Sequence, residues 1–498
     1  MASNQYTKLV ESQRAYFDTG EPASLAHRKK ALLTLKKLIE NDGAELVDAV
    51  EKDLRRLPGV TKNLELNAAK VEIDYFLENL DEWTAPHYVD KTLNTLLDTP
   101  MVVSDAKGVV LLLSPWNYPV NLVLMPLVPI IGSGNTVIIK PSELSSNTAD
   151  AIERVFSKYF DKEFLAVVQG GIPETTELLK ERYDHIVYTG STPVAKIILA
   201  AAAKHITPCT LELGGKCPVI VCDDADIEVT SKRLAWGKWL NCGQTCLAPD
   251  YVITTEATKP KLVKELTKNL HEFYGSDIRN NIDYSRIINE RHFDRLENLL
   301  NTTNGEILFQ GGNPDRSDNF IPPVIIDSSL EDPIMADEIF GPILPIITVQ
   351  DISEAIATIR SMEKPLAAYI FTRSDKNIDR LLKETSSGGV TVNDVMFHMT
   401  VDTLPFGGVG HSGFGRYRGK FGFTEFTHPK AVLKRGFFAD SLTSARYPPL
   451  TPAKEKGMAR ITGKRIALPK TVKTYLPWLS CLIAGVVIGI VIQKYKTF

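Results

Sequence analysis

The chain of 498 residues has only six cysteines, too few for a framework of disulfide bonds. Neither charge is in excess, because 57 Lys and Arg stand against 60 Asp and Glu, which argues against a nucleic-acid partner. The N-terminal MASNQYTKLVESQRAYF lacks the apolar core of a signal peptide, and no internal repeat is visible. These absences predict a globular protein that folds in a reducing compartment with free thiols. The length of the chain predicts roughly two to four domains.

The C-terminal segment departs from this composition. Between Pro452 and Lys473, seven Lys and Arg residues stand against one acidic residue, Glu455. Residues 474–493, TYLPWLSCLIAGVVIGIVIQ, carry no charge and would span about 30 Å as a helix, which matches a hydrocarbon core. A buried C-terminal helix is the alternative. We predict a basic linker at 441–473 and a transmembrane helix at 474–493 that contacts a lipid bilayer and leaves the body in the cytosol.

Upstream of this tail, short apolar runs alternate with helical stretches. Residues 23–80 have helical spacing, and from residue 108 runs such as GVVLLLSPWN, NTVIIKPSE and DHIVYTGS are followed by helical segments. This alternation predicts an α/β fold with a parallel sheet covered on both faces. Such sheets bind ligands at the carboxyl ends of their strands, where Asn117, Lys140, Gly190 and Glu212 fall.

Two glycine-containing segments are candidates for phosphate binding. Gly408, Gly410 and Gly413 match G-x-G-x-x-G, but the motif neither follows a strand nor opens a helix, so a mobile loop near a site or a domain interface is the better interpretation. In YTGSTPVAK a strand ends at Gly190, Ser191 can cap the next helix and Pro193 suits its first turn. That helix start could bind a phosphate, although an ordinary strand-to-helix turn has the same sequence.

NCGQTC contains two cysteines, Cys242 and Cys246, with no second Cys or His pair nearby. This spacing argues against a zinc site, and we predict no metal. A buried inert thiol is the commonest fate of a cysteine. The turn-forming and polar neighbours instead favour an exposed, flexible loop on which a thiol could have the lowered pKa of a nucleophile.

Glu212 lies within the apolar strand of TLELGGK. A carboxylate is costly to bury in its ionised form. Glu212 is therefore either paired with a cation or kept as a general base with a raised pKa, and the sequence alone leaves both open.

Seven motifs occur in an order and spacing that resemble the aldehyde dehydrogenase superfamily: SPWNYP, KPSE, YTGS, LELGGK, NCGQTC, EIFGP and PFGG. The resemblance covers residues 5 to 440. Within the superfamily, the chain is most similar to the class 3 branch. It implies a Rossmann-like NAD-binding domain at 1–82 and 108–210, and an α/β catalytic domain at 211–394. It also implies a β bridging arm at 83–107 and 395–440 that joins a homodimer.

The resemblance also implies roles for single residues. Cys246 matches the nucleophile that forms a thiohemiacetal and then a thioester, and Cys242 is a bystander. Asn117, with the backbone N–H of Cys246, matches the oxyanion site. Glu212 matches the base that activates water, which favours release of a free acid over transfer to coenzyme A. A catalytically inactive scaffold is the remaining alternative.

For the cofactor, the resemblance implies NAD, with NADP possible. Lys140 and Glu143 match residues that bind the adenosine ribose, and Glu338 and Phe340 match the nicotinamide side. The phosphate-side turn matches the run Gly190, Ser191, Thr192, Pro193, Val194 and Ala195. With the apolar tail, the expected reaction is oxidation of medium- to long-chain (fatty) aldehydes. The expected membrane is the endoplasmic reticulum, with the mitochondrial outer membrane and peroxisomes as alternatives.

Overall fold

The computed structural model describes residues 5–438 and 440–463. Within them, one compact unit combines residues 5–83 with 105–428, and a second combines 84–104 with 429–463. The transmembrane helix predicted at 474–493 lies outside the described residues, as does the end of the basic linker. In the part of the chain that is described, no helix is both long and apolar enough to cross a bilayer.

Helices occupy much of the first unit. The α-helices among the described residues are α1 (Gln5–Asp18), α2 (Leu25–Leu54), α3 (Pro58–Thr61), α4 (Ala68–Thr84), α5 (Asn121–Gly132), α6 (Ser146–Ser157), α7 (Ile172–Leu178), α8 (Thr192–Ala203), α9 (Ile227–Trp239), α10 (Lys259–Tyr274), α11 (Glu290–Thr302), α12 (Ile352–Ser361), α13 (Asp375–Glu384), α14 (Gly419–Glu425) and α15 (Pro452–Thr462).

The strands alternate with these helices from residue 109 onward. They are β1 (His87–Tyr88), β2 (Thr99–Ala106), β3 (Val109–Leu113), β4 (Thr136–Lys140), β5 (Leu165–Val167), β6 (His185–Gly190), β7 (Cys209–Leu213), β8 (Pro218–Val221), β9 (Tyr251–Thr255), β10 (Glu306–Gln310), β11 (Val324–Ser328), β12 (Ile343–Val349), β13 (Ala367–Phe371), β14 (Gly389–Val392), β15 (Gly413–Phe414) and β16 (Thr427–Lys434).

The first unit contains two largely parallel sheets. The six-stranded sheet has the order β15-β7-β6-β3-β4-β5, and the seven-stranded sheet has the order β10-β11-β12-β9-β8-β13-β14. Only the edge strands β15 and β10 pair antiparallel in these described sheets. Apolar side chains of helices and strands together form the hydrophobic cores on their faces. The predicted α/β fold with parallel sheets is confirmed.

Local sequence explains why the central strands form where they do. β3, VVLLL, and β4, TVIIK, are buried at every position, as expected for parallel strands covered on both faces. α5 is apolar on all sides and buried along nearly its whole length, so it packs as an internal helix. Because β3 and β4 are parallel neighbours, the residues that follow them reach the same edge of the sheet.

The second unit is built on a three-stranded sheet of order β1-β2-β16. The Arg435 guanidinium binds both carboxylate oxygens of buried Asp98, at 2.8 and 2.9 Å. The predicted bridging arm joined 83–107 to 395–440, whereas the second unit takes residues only from 429 onward and leaves 395–428 in the first. The predicted domain boundaries, including those of the arm, and the role of the arm in a dimer stay predictions.

Candidate active site

The Cys246 loop follows α9 and is held rigidly. Asn241 and Cys242 have positive φ angles of 52° and 56°, in the left-handed region that few residues other than glycine adopt. The Gln244 amide nitrogen donates hydrogen bonds to the backbone oxygens of Asn241, at 3.1 Å, and Arg286, at 2.9 Å, and its oxygen accepts one from the backbone N–H of Ile288 at 3.0 Å. The prediction of a flexible, exposed loop is wrong, because its polar side chains are buried and make the hydrogen bonds of the loop itself.

The Cys246 thiol is half-buried, and its pKa is raised to about 12. Burial is the main cause, the negative charges of Glu338 and Glu212 add to it, and the backbone N–H groups of Cys246 and Leu247 oppose it. The expected lowering of the pKa is therefore not found in the protein alone. The thiol does lie within the field of two carboxyl groups, which places three predicted site residues together.

Cys242 occupies a different environment. It is fully buried, its thiol faces the Ile321 carbonyl at 3.9 Å, and burial raises the pKa of the thiol to about 12. Such a cysteine packs as a small apolar residue.

Asn117 reaches the same loop from the end of β3. Its side-chain nitrogen donates to the Gln244 carbonyl at 3.0 Å, which leaves the second N–H of the amide for another acceptor. The backbone carbonyl of Asn117 accepts hydrogen bonds from the Asn241 side chain at 3.0 Å and from the Arg56 guanidinium at 3.1 Å. These bonds tie the amide to the segment that carries Cys246.

A buried ion pair supports Asn117, and nothing in the sequence indicated it. Arg56 pairs with Glu65, and both side chains are almost fully buried. The Glu65 carboxylate also accepts the backbone N–H groups of Val120 and Asn121, both at 2.8 Å, at the start of α5. Arg56 lies 4.7 Å over the ring of Tyr118. The Arg56–Glu65 pair thereby fixes the turn between β3 and α5, which carries Asn117.

We expect Arg56→Ala to cost about 3–5 kcal/mol of folding free energy, because the buried Glu65 carboxylate loses its cation. Arg55→Ala is the matched control, since its side chain is 60% exposed and its pair with Asp318 should contribute less than about 1 kcal/mol. Thermal unfolding of the purified variants measures both. Equal melting temperatures for the two variants would contradict the assignment.

Glu212 lies on β7 and is 2% exposed. Neither of its carboxyl oxygens has a hydrogen-bond partner among the described residues. Burial raises the pKa of Glu212 well above its usual value, and the charge of Glu425 raises it further. Of the two alternatives that the sequence left open, the structure favours an unpaired carboxyl with a raised pKa.

The glycine-rich segment PFGGVGHSGFG, residues 405–415, lies against this carboxyl. Gly413 pairs with Glu212 across β15 and β7, and a Cβ there would lie 1.9 Å from the Leu211 carbonyl. A Cβ on Gly407 would lie 3.1 Å from a Glu212 carboxyl oxygen. The glycines thus allow backbone to approach the site closely, and the structure agrees with a loop near a site rather than a phosphate loop.

Glu338 is half-buried beside the LELGGK segment. A Cβ on Gly214 would come within 1.9 Å of the Glu338 carboxyl, so a larger residue there would displace this side chain. The pKa of Glu338 is raised to about 8, first by burial and then by the charge of Asp250. The Gly215 N–H and the cations of Lys216 and Arg295 oppose this shift.

Phe340 has a φ angle of 47°, which is unfavourable for an aromatic residue and indicates local strain. Its ring meets that of Trp116 edge to face, with centroids 5.5 Å apart. A Cβ on Gly243 would lie 2.2 Å from the Gly341 carbonyl. The EIFGP, SPWN and NCGQTC segments therefore converge.

The remaining predicted residues lie along the carboxyl edge of the six-stranded sheet. The buried Lys140 ammonium at the end of β4 pairs with Glu143 at 2.5 Å. Glu143 borders a cavity of about 380 Å³ whose lining residues are Pro141, Glu143, Ser146, Ala149, Gln169, Gly170, Gly171 and Glu174.

At the end of β6, α8 begins at Thr192. Ser191 holds the N-cap position, but its side chain makes no capping hydrogen bond, so that part of the prediction is wrong. Its backbone N–H instead donates to the Tyr188 hydroxyl at 2.9 Å, and a Cβ on Gly190 would collide with that hydroxyl. Pro193 and Val194 are exposed, and Ala195 is buried. An accessible helix start and a cavity bordered by a carboxylate, both at the carboxyl edge of the same sheet, fit a dinucleotide cofactor.

Comparison with known proteins agrees with this geometry. The model of the aldehyde dehydrogenase family matches residues 1–432. The mouse protein called "Aldehyde dehydrogenase family 3 member A2" is 45% identical over 89% of this chain and 91% of its own length. The mouse "Aldehyde dehydrogenase, dimeric NADP-preferring" is 44% identical over 90% of this chain and 98% of its own length. The solved structure of the substrate-bound state of Staphylococcus aureus AldH, 38% identical, has a TM-score of 0.89 and covers 92% of this chain and 100% of its own.

The chain therefore belongs to the aldehyde dehydrogenase family, and it is an oxidoreductase. Its relatives include members of family 3, which confirms the similarity to the class 3 branch.

Proposed function

We propose that this enzyme oxidises medium- to long-chain aldehydes, including fatty aldehydes, to carboxylic acids, with NAD preferred and NADP usable. The observation that carries the proposal is the shared environment of the Cys246 thiol and the buried, unpartnered Glu212 carboxyl, whose charge raises the pKa of that thiol. The thiol supplies a nucleophile and the carboxyl supplies a base for hydrolysis.

In the proposed reaction, the Cys246 thiol loses its proton to solvent, and the thiolate sulfur then attacks the aldehyde carbon. The Asn117 side-chain amide and the Cys246 backbone N–H stabilise the negative charge that develops on oxygen. Lys140, Glu143, the start of α8 and Glu338 would hold a nicotinamide dinucleotide, which would supply the acceptor for the hydride whose loss converts the Cys246 adduct to a thioester. Water then attacks the thioester while Glu212 takes its proton, and the acid leaves as the carbon–sulfur bond breaks.

The C-terminal segment supports the choice of substrate. The chain resembles membrane-bound fatty aldehyde dehydrogenases in joining this catalytic body to an apolar segment at 474–493. Long-chain aldehydes enter bilayers with a gain of about 0.8 kcal/mol per methylene, so an anchored enzyme meets them at high local concentration. We propose the endoplasmic reticulum as the membrane, with the mitochondrial outer membrane and peroxisomes as alternatives, and a homodimer as the assembly. Imaging of the tagged full chain against organelle markers tests the location.

NADH formation tests the substrate class. Wild type in liposomes should oxidise both hexanal and hexadecanal. Truncation after residue 473 should leave the turnover of hexanal unchanged and lower that of liposome-bound hexadecanal by about tenfold. An unrelated apolar helix of equal length in place of residues 474–493 should restore the activity. Equal losses for the two aldehydes would contradict the role of the tail.

Cofactor choice depends in our proposal on Glu143. A carboxylate at the rim of the cavity repels the 2′-phosphate of NADP and accepts a hydrogen bond from the free ribose of NAD. Glu143→Gln should shift the ratio of kcat/KM values by about tenfold towards NADP. Glu163→Gln, an exposed residue outside the cavity lining, makes the same charge change and should leave the ratio as it is. An unchanged ratio in Glu143→Gln would show that this carboxylate does not determine the choice of cofactor.

A further inference from the structure

Tyr417 is a buried aromatic residue with no assigned role in the proposed reaction. It follows the glycine-rich segment and is 2% exposed. Its backbone N–H donates to the Phe406 carbonyl at 3.0 Å, and the Phe406 N–H donates back at 3.2 Å. The two rings also pack together, with centroids 5.5 Å apart. The position of the phenol is therefore fixed by backbone pairing on the same segment that lies against Glu212.

The polar groups around Tyr417 are unusual for a protein interior. The Tyr417 hydroxyl, the Thr189 hydroxyl and both carboxyl oxygens of Glu212 are buried without a well-formed hydrogen bond to any described group. Thr189 on β6 stands directly opposite Glu212 on β7 in the parallel register. Buried polar groups almost always have a partner, either protein or water.

These groups share one small region with the nucleophile. The negative charges of Glu212 and Cys246 both raise the pKa of the Tyr417 phenol, and the Thr189 hydroxyl opposes this shift. Backbone at Gly407 limits the space beside the carboxyl. A water in such a place would have three polar partners, which is the usual number for a buried water.

We propose that Tyr417, together with Thr189, positions the water that hydrolyses the thioester on Cys246. This inference rests on the proposed function and adds a residue to its second half. The phenol donates its O–H to one lone pair of the water, and one water hydrogen is donated to Thr189. The second water hydrogen is donated to Glu212, which leaves the other lone pair for the thioester carbon.

The atoms and charges balance in this step. The water oxygen forms a bond to the carbonyl carbon, and its proton passes to Glu212. The carbon–sulfur bond then breaks, the electron pair returns to Cys246, and the carboxylic acid is released. Tyr417 neither gains nor loses a proton, so it is a positioning residue.

Stopped-flow kinetics of the full chain in detergent, with hexanal and NAD, test this role. Tyr417→Phe should keep a burst of about one NADH per active site and lower the following steady rate by about 10- to 100-fold. Acid quenching and mass spectrometry should find the acyl group on Cys246. Thr189→Val should give the same pattern in milder form, and it keeps the test valid if Tyr417→Phe does not fold.

Tyr183→Phe is the matched control, because Tyr183 is also a buried phenol without a hydrogen-bond partner for its hydroxyl among the described residues. This variant should keep both phases. The pH dependence of the steady rate distinguishes a phenol that binds the water from one that binds the Glu212 carboxylate. The midpoint should stay unchanged in Tyr417→Phe, since the phenol binds the water; a raised midpoint would mean that it binds the carboxylate, and would overturn the proposal.

Two other results would also overturn the inference. One is a steady rate in Tyr417→Phe equal to that of wild type. The other is an equal fall of burst and steady rate, which would indicate a general structural effect. Failure of the wild type to form NADH from hexanal would instead contradict the proposed function.

Discussion

Cys246→Ala should lower NADH formation from hexanal by about 10⁴-fold or more, because removal of a covalent nucleophile leaves only binding and oxyanion stabilisation. The variant should also show no burst, since the thiohemiacetal from which hydride is lost cannot form. Cofactor binding, followed by quenching of tryptophan fluorescence, should remain because Lys140 and the start of α8 are intact. The prediction concerns the chemical step, and a loss of cofactor affinity in parallel would contradict it.

Cys242→Ala is the matched control from the same short loop. This thiol is fully buried in the hydrophobic core of the seven-stranded sheet, where it packs against Tyr284 and Ile321. Its replacement should lower the melting temperature and leave the turnover rate within about twofold, since only a small cavity is created. Loss of activity equal to that of Cys246→Ala would mean that the two cysteines act together.

The pH dependence of the first half-reaction has a defined direction. The pKa of Cys246 lies at about 12 and that of Glu338 at about 8, each raised by burial and negative charge. The nucleophilic thiolate becomes more populated as pH rises, so the rate of the burst should increase with pH. Glu338→Gln removes one of the negative charges that raise the thiol pKa, and the burst should then reach its maximum at lower pH.

The positions at the ends of the strands could be predicted from the sequence for a simple reason. Parallel strands bring their carboxyl ends to one edge, so Asn117, Lys140, Gly190 and Glu212 needed only a correct strand pattern to be placed there. Glu212 was also detectable as a carboxylate in an apolar strand. The assignment of catalytic roles came from the family motifs.

Arg55 and Arg56 illustrate what the sequence could not supply. The two residues are identical and adjacent, yet the side chain of one is 60% exposed and that of the other 1%. The difference arises from the left-handed turn at Arg55 that ends α2 and from a partner brought in by the π-helical turn at Lys62–Asn67. No periodicity distinguishes them, because the deciding contact with the Asn117 carbonyl spans distant parts of the chain.

The interpretation of the Cys246 loop failed for a related reason. Asn241 and Gln244 are residue types typical of exposed turns, but here their side-chain amides donate to each other's backbone carbonyls, where water would otherwise bind. Polarity indicates which groups need hydrogen bonds and does not indicate whether water provides them. A similar ambiguity concealed Tyr417, which nothing in its local sequence separates from a core aromatic residue.

Glu212→Gln should separate the two halves of the reaction. The amide has nearly the same shape but cannot accept a proton from water, so thioester formation should continue while hydrolysis slows. We expect a burst of about one NADH per active site, followed by a steady rate about 10²- to 10⁴-fold below that of wild type. Mass spectrometry of the quenched enzyme should show the acyl adduct on Cys246. Absence of the burst would contradict the role of Glu212, because the carboxyl would then be needed for attack on the aldehyde.

Addition of coenzyme A to the stalled Glu212→Gln variant distinguishes hydrolysis from acyl transfer. A hydrolytic enzyme should remain slow, since the site is built around a water and a base. Recovery of a fast steady rate with coenzyme A would instead indicate a transferase. In the wild type, hydrolysis requires ionised Glu212, whose pKa is raised by burial and by Glu425. The steady rate should therefore fall as pH drops through that raised pKa and level off above it, whereas Glu212→Gln should lose this step in its pH profile.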